Sequence, residues 1–382
     1  MRKGLFSSLV LILAISVIAP STANQIGKQE LKEVYLIKFV DSVNFDNEMA
    51  VLKAGGGEVQ SEYRDIFKGA AVALNSAQAL ALSRNPRIDI IEKDAVATTQ
   101  VQQVQQLGND AALWGLDRID QNKGTDGSYQ YSNTGTGVSV YVLDQVIDGS
   151  ISDFGGRANG FKDFTGDSTK VGCGSHGTHV AGTIGSQTYG VAKTVTLISY
   201  KVLDCGGSGS YSWIISALND VSKNAARPAV VNMSLGGPKS SALNTAVENL
   251  SKAGVVVVVA AGNNGTNACN YSPASAPSAI TVAASTSSDV RASFSNFGKC
   301  VDIFAPGQGI KSLVPGGGTA TWNGTSMASP HVAGVVARYL QGNPNATVAT
   351  ITTDIRQSAS TNVLSSIGAQ SPNRLIYRAP SN

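Results

Sequence analysis

A serine opening an apolar helix, a histidine among glycines and an aspartate closing a buried strand are the groups here that could transfer an acyl group. The serine is Ser326, in the stretch Asn323-Gly324-Thr325-Ser326-Met327-Ala328-Ser329-Pro330-His331-Val332-Ala333-Gly334. The run from Met327 to Ala337 is apolar enough for a buried helix, which puts Ser326 in or near its first turn. There the N–H groups and the positive end of the helix dipole favour negative charge. A hydroxyl so placed attacks a carbonyl once a base takes its proton, and the helix end helps to hold the resulting oxyanion. An ordinary N-capping serine has the same look. The base and the acid must therefore come from elsewhere in the chain.

The search for a base is short, because the chain has only three histidines: His176, His179 and His331. His331 follows Ser326 by five positions on the same helix, points away from it, and reads as a packed core residue. His176 and His179 lie in Gly174-Ser175-His176-Gly177-Thr178-His179, at the start of a small-residue helix. Spacing prefers His176 only weakly. For the acid, Asp144 closes the strand Val138 to Leu143, where a carboxylate is costly unless it is paired. Asp148 is the alternative, but Asp144 is the residue that ends the apolar run. Asn263, in Gly262-Asn263-Asn264-Gly265, is either a turn residue or a side-chain donor to an oxyanion. Ser234-Leu235-Gly236-Gly237 and Gly206-Gly207-Ser208-Gly209 are loops, or bare backbone edges to which an extended peptide could add as a strand.

These groups need a scaffold, and the pattern after Trp114 supplies one. Apolar strands are expected at 138–143, 197–203, 229–233, 255–260, 280–284 and 301–304, with helices at 178–184, 211–224, 241–252 and 326–339. Strands that are apolar throughout belong to a mostly parallel sheet covered by helices on both faces, an α/β architecture. Sites in such sheets lie at the carboxyl ends of the strands, which is where Asp144, Ser234 and Asn263 fall.

The N-terminal third is different. Residues 1–23 have the form of a secretory signal peptide: Arg2 and Lys3, an apolar stretch from Leu5 to Ala19, then Ser21-Thr22-Ala23. Glu33 to about Val96 reads as a small α+β unit, with strands at 34–40, 66–74 and 88–91 and helices at 45–54 and 77–84. Thr98 to Gln106 is polar, Gln-rich and without periodicity, and reads as an exposed linker open to proteolysis. The chain of 382 residues has a formal charge of +3 and only 14% charged residues. Without a basic cluster this argues against a nucleic-acid partner. No later segment is long enough to span a membrane. Export makes the four cysteines disulfide candidates, since no CxxC pair is present.

Taken together these stretches resemble the secreted subtilisin-like serine proteases, in the proteinase K branch and nearest to aqualysin-type bacterial enzymes. HGTHVAGTIG (176–185), VNMSLGG (231–237), AAGNN (260–264) and GTSMASPHVAG (324–334) occur in the family's order. WGLDRID (114–120), YGVAK (189–193), CNYSPAS (269–275) and SPNRL (371–375) match too. The resemblance runs from about Tyr35 to Arg378. It implies Ser326 as nucleophile, His176 as base, Asp144 as the acid that orients it, and Asn263 as the oxyanion donor. Gly207, Ser208, Gly209, Tyr211, Ser234, Leu235 and Gly236 would grip the substrate backbone, with Ala260 and Gly262 lining the specificity pocket. Small, uncharged residues there imply broad cleavage with an apolar or aromatic preference.

The same resemblance implies disulfides Cys173–Cys205 and Cys269–Cys300, each closing a loop worth roughly 3.5–4 kcal/mol if unstrained. It implies a structural calcium site at Asp302 with the carbonyls of Pro277 and Ala279. It also divides the precursor: signal peptide 1–23, a ferredoxin-like inhibitory propeptide at 24–100, and a catalytic domain at 101–382. The expected product is a secreted monomer acting on proteins and peptides, freed from its own propeptide by a cut near residues 97 to 106.

One departure stands beside the acid. The family follows its aspartate with Thr or Ser and then Gly, whereas Asp144 is followed by Gln145 and Val146. If the second position needs positive φ, Val146 is strained by roughly 1–2 kcal/mol. If the glycine serves close approach, the isopropyl group intrudes. On that ground the alternative is a catalytically impaired pseudoprotease that keeps the cleft as a peptide-binding module.

Overall fold

Strands that are apolar along their whole length need cover on both faces, and this chain provides it. The structure, a computed structural model, describes residues 31–99, 113–167 and 173–379. The expected signal peptide and the 100–106 part of the expected linker lie outside the described residues.

A nine-stranded sheet runs in the order Ser360–Thr361, Arg374–Leu375, Ile303–Pro306, Ile280–Ser285, Val256–Ala260, Ala229–Met233, Ser139–Asp144, Thr196–Lys201, Gly160–Asp163. Every pairing is parallel except that of the first two strands. Alternation sorts the strand residues onto two faces. Val140, Val142, Val256 and Val258 pack with the helices His176–Gly185 and Thr325–Gly342. Tyr141, Leu143, Val257 and Val259 pack with Tyr211–Asn224 and Ser241–Lys252. Two apolar layers therefore clamp the sheet, and the residues that end its strands open at one edge.

Residues 33–93 form a separate four-stranded antiparallel sheet, ordered Glu58–Tyr63, Gly69–Leu74, Glu33–Phe39, Ile88–Lys93, with the helices Phe45–Ala54 and Ser76–Ser83. This β-α-β-β-α-β order is ferredoxin-like. Asn44 caps the first helix, and Asn75 with Gln78 forms a capping box on the second. The strand expected at 66–74 is the shorter Gly69–Leu74, and Glu58–Tyr63, ahead of the bend at 64–68, is a strand the sequence reading lacked. The module packs Leu36, Tyr63, Ile66 and Ala71 against the layer that holds helices 211–224 and 241–252. Its acids sit at the positive ends of those helices. Glu92 accepts from Ser241 N and Ala242 N, both at 3.1 Å, and Asp94 from Ser212 N at 3.1 Å.

The stretch after the module corrects the sequence expectation at its near end. Val96–Thr99 is a strand, antiparallel to Ser208–Ser210 on one side and Leu235–Pro238 on the other. Thr98 and Thr99 have no apolar pattern, because a strand added to two backbone edges is held by main-chain bonds and needs none. Other elements beyond the sequence reading are the hairpin Ile310–Val314 with Gly318–Trp322 and the helix Val348–Ser358.

Candidate active site

Asp144 is the last residue of its strand and fully buried. Its carboxylate has found partners: Oδ1 accepts from Gln145 N at 2.7 Å, and His176 Nδ1 lies 2.7 Å from Oδ1 and 2.9 Å from Oδ2. With the ring proton held on Nδ1, the lone pair of a neutral His176 is on Nε2. That nitrogen is buried and has no hydrogen-bond partner among the described residues. The other candidates are accounted for. His179 points Nε2 at Ala320 O, 3.1 Å away, and burial pushes its pKa down to about 3. His331 bonds Met327 O at 2.8 Å, and burial holds it down to about 4. Groups so reluctant to take a proton make poor bases at neutral pH. Asp148 accepts from Ser150 and from Gly316 N and meets no histidine.

Ser326 lies in the first turn of Thr325–Gly342. Its hydroxyl donates to Ser234 O at 2.9 Å, and the Ser234 hydroxyl returns a bond to Ser326 O at 2.9 Å. The return bond has a cause in the sequence. Pro330, four residues on, has no N–H to give the Ser326 carbonyl, so a partner from outside the helix takes it. Asn232 Nδ2 in turn donates to Ser234 Oγ at 3.1 Å, and Ser329 Oγ donates to Asn232 Oδ1 at 2.7 Å. The serine is thereby fixed to the end of the strand Ala229–Met233. Trp322, four residues before Ser326, stacks near-parallel on His176 with ring centres 6.4 Å apart, and on His179 at 4.3 Å. Neither Asn232 nor Trp322 was legible as a site residue. The proline spacing was the one signal available for the serine's outside partner.

Asn263 has its amide turned by two donors. Thr325 N and Thr325 Oγ1 both bond Oδ1 at 2.9 Å, which leaves Nδ2 buried and without a partner among the described residues. An orphaned buried donor costs free energy unless something fills it. Beside it runs a cleft of about 580 Å³ lined by Ala260, Ala261, Gly262 and Asn263, with Gly236 and Thr99 at its rim. Gly207, Ser208, Gly209, Leu235 and Gly236 form the two edges that hold residues 96–99. Tyr211 closes the far end, its N–H on Ala95 O and its hydroxyl on Pro238 O. Ser234 differs from these, because its carbonyl meets Ser326.

The pair after the acid is not strained. Non-glycine residues with positive φ among those described are Asp289, Asn362, Ser366 and Gln370, so Val146 is not one of them. Its side chain is buried, and Gln145 N–H serves the acid. Both cystine bridges are formed, and Cys173–Cys205 ties the loop before His176 to the loop before Gly207.

The expected calcium ligands do not fit that ion as they are arranged. Asp302 Oδ2 accepts from Thr281 N at 2.8 Å, and Oδ1 is paired with the guanidinium of Arg356. Asp302, Pro277 and Arg356 line one recess, so the single carboxylate there is already paired with a cation. Calcium requires several oxygen ligands with enough negative charge among them.

Comparisons with known proteins find relatives of this chain. A family model described as "Subtilase family" matches residues 135–374. The chain is 48% identical over 327 residues to an "Extracellular serine proteinase" of Thermus sp. (strain Rt41A), covering 84% of this chain and 78% of that protein. It is 40% identical over 353 residues to "Proteinase R" of Parengyodontium album, covering 91% and 89%. Among solved structures, a "cold adapted subtilisin-like serine proteinase" matches with a TM-score of 0.68 at 48% identity, over 70% of this chain and 98% of that one.

Proposed function

The chain belongs to the subtilase family and is a subtilisin-like serine endopeptidase; on that premise we propose that Asp144, His176 and Ser326 are its triad and that it is made as a secreted, self-processing precursor. The observation that carries the triad is the buried Asp144–His176 pair, with Nε2 left open beside the helix that bears Ser326. When a peptide enters, the Ser326 hydroxyl turns from Ser234 O to Nε2, gives up its proton and attacks the carbonyl carbon. Asp144 stabilises the imidazolium that forms. The oxyanion is met by Asn263 Nδ2–H and by the Ser326 N–H at the positive end of its helix. His176 then hands the proton to the leaving amine, and water repeats the sequence on the acyl-enzyme.

The walls at Ala260, Ala261 and Gly262 carry no charge and little bulk, which supports an apolar or aromatic preference at the cut. Residues 24–100 act as the inhibitory propeptide. The supporting observation is Val96–Thr99 lying as a substrate-like strand between the two edges, with Thr99 N on Gly207 O at 3.0 Å and Thr99 opposite Leu235. The cut that frees the catalytic domain then falls shortly after Thr99. Relatives named extracellular support export, and no described helix is long and apolar enough to cross a membrane. Structural calcium is common among subtilases. At the Asp302 recess, Arg356 supplies the positive charge instead.

Mass and N-terminal sequence of the protein recovered from the medium test this reading. We expect wild type to begin shortly after residue 99 and Ser326→Ala to remain a full proprotein. Wild type that stays uncut and hydrolyses no peptide would overturn it.

A further inference from the structure

The residue that departs from the family beside the acid has a complete set of partners. Gln145 is 4% exposed. Its Nε2 donates to Asp204 O at 2.9 Å and Cys205 O at 3.0 Å, and its Oε1 accepts from His176 N at 3.1 Å. Its own N–H holds Asp144 Oδ1. The helix His176–Gly185 has no capping bond from Ser175, so the Gln145 oxygen does the work of an N-cap from a distant part of the chain. The two carbonyls belong to the turn that presents Gly207 to Gly209. That turn is closed by Asp204 N on Ser208 O at 2.7 Å and by Ser208 N on Asp204 Oδ1 at 2.9 Å.

Two glycines make room for Gln145, Gly174 for its side-chain amide and Gly177 for its backbone carbonyl. A Cβ on Gly174, which has φ +73°, would sit 2.1 Å from Gln145 Oε1, and one on Gly177 would sit 2.3 Å from Gln145 O. The disulfide Cys173–Cys205 joins the same two segments. It limits how far apart they move, whereas the amide orients the carbonyls and N–H between them.

We propose that Gln145 is a positioning residue that couples the base to the substrate edge, so that the 207–209 edge and the His176 ring are held in register by one side chain. The proposal rests on the triad reading above. Wild-type hydrolysis of the substrates used tests that reading, and the variants test this one. The coupling has a specific consequence: loss of the amide weakens turnover of peptides long enough to lie on the 207–209 edge more than turnover of short ones.

The experiment measures kcat and KM across pH for processed enzyme normalised by active-site titration. It uses a peptide spanning residues equivalent to 96–99 and a short ester that does not reach the edge. Gln145→Met keeps the volume and removes all three side-chain bonds. Its kcat/KM on the long peptide is expected to fall about tenfold or more, the scale of one or two lost hydrogen bonds, with a smaller loss on the ester. Gln145→Glu keeps the acceptor for His176 N–H and adds a negative charge beside the imidazolium, so the kinetic pKa of the base rises. Equal losses of Gln145→Met on both substrates, or none on either, would overturn the proposal. So would a Gln145→Glu pH profile that coincides with wild type. Should Gln145→Met fail to accumulate, Gln145→Glu carries the same two-substrate comparison.

Discussion

Asn263 shows how a single amide is prepared for a charge that does not yet exist. Two bonds from Thr325 fix its oxygen, so the nitrogen has one direction left. Replacing Asn263 with Ala should lower kcat about 10²–10³-fold with little change in KM, the size of effect known for the equivalent donor of subtilisin, from which the figure is taken. Steady-state kinetics on a peptide substrate checks it; an effect confined to KM would count against the role. The two buried histidines make a second prediction. Their folded pKa values, about 3 for His179 and about 4 for His331, lie below the ordinary 6.5. Between these values the unfolded chain binds the extra protons. Their contribution is complete above pH 6.5 and is lost as pH falls towards about 4. Burial raises the Asp302 carboxyl, which works in the opposite sense and reduces the slope. Denaturant midpoints of the Ser326→Ala protein between pH 4 and 7 should fall with acidity; a flat profile would contradict the assignment.

At the scale of elements, the sequence was most informative where periodicity and burial agree. Helices 211–224 and 241–252 begin and end where their patterns do, because Ser210 and Ser240 cap them. The central strands shifted by only a residue or two at their ends. Helix His176–Gly185 starts two residues earlier than its apolar pattern, since its first N–H is capped by Gln145, a partner thirty-one positions away. Such distant polar partners leave no local trace. The same is true of Arg356, on the helix Val348–Ser358, which reaches the carboxylate expected to hold calcium. Asp302, Pro277 and Ala279 could be read from motif resemblance; the guanidinium paired with Asp302 could not. Arg356→Asn should therefore create a calcium dependence. We expect added calcium to raise the melting temperature of the variant by more than that of wild type, read by thermal scans with calcium and with chelator. An equal response in both would show that Arg356 does not stand in for the ion.

On the scale of the whole molecule, the fold divides its labour between a rigid sheet and a clip-on module. The sheet carries Asp144, Ser234 and Asn263 at or just after the ends of three neighbouring strands, and two helices of one face bring His176 and Ser326 to them. The module holds to two helix starts of the opposite face through Glu92 and Asp94 and feeds Val96–Thr99 into the cleft. An enzyme built this way cuts its own chain first and is blocked by that strand until it leaves, so its nucleophile should be open to other substrates and to probes only after processing. The most direct test is a fluorophosphonate probe on the processed protein, with the adduct mapped by peptide mass spectrometry. The account predicts one adduct, on Ser326, absent from His176→Ala even after wild-type enzyme has cut that variant's propeptide in trans. An adduct on another serine, or none on processed wild type, would contradict it.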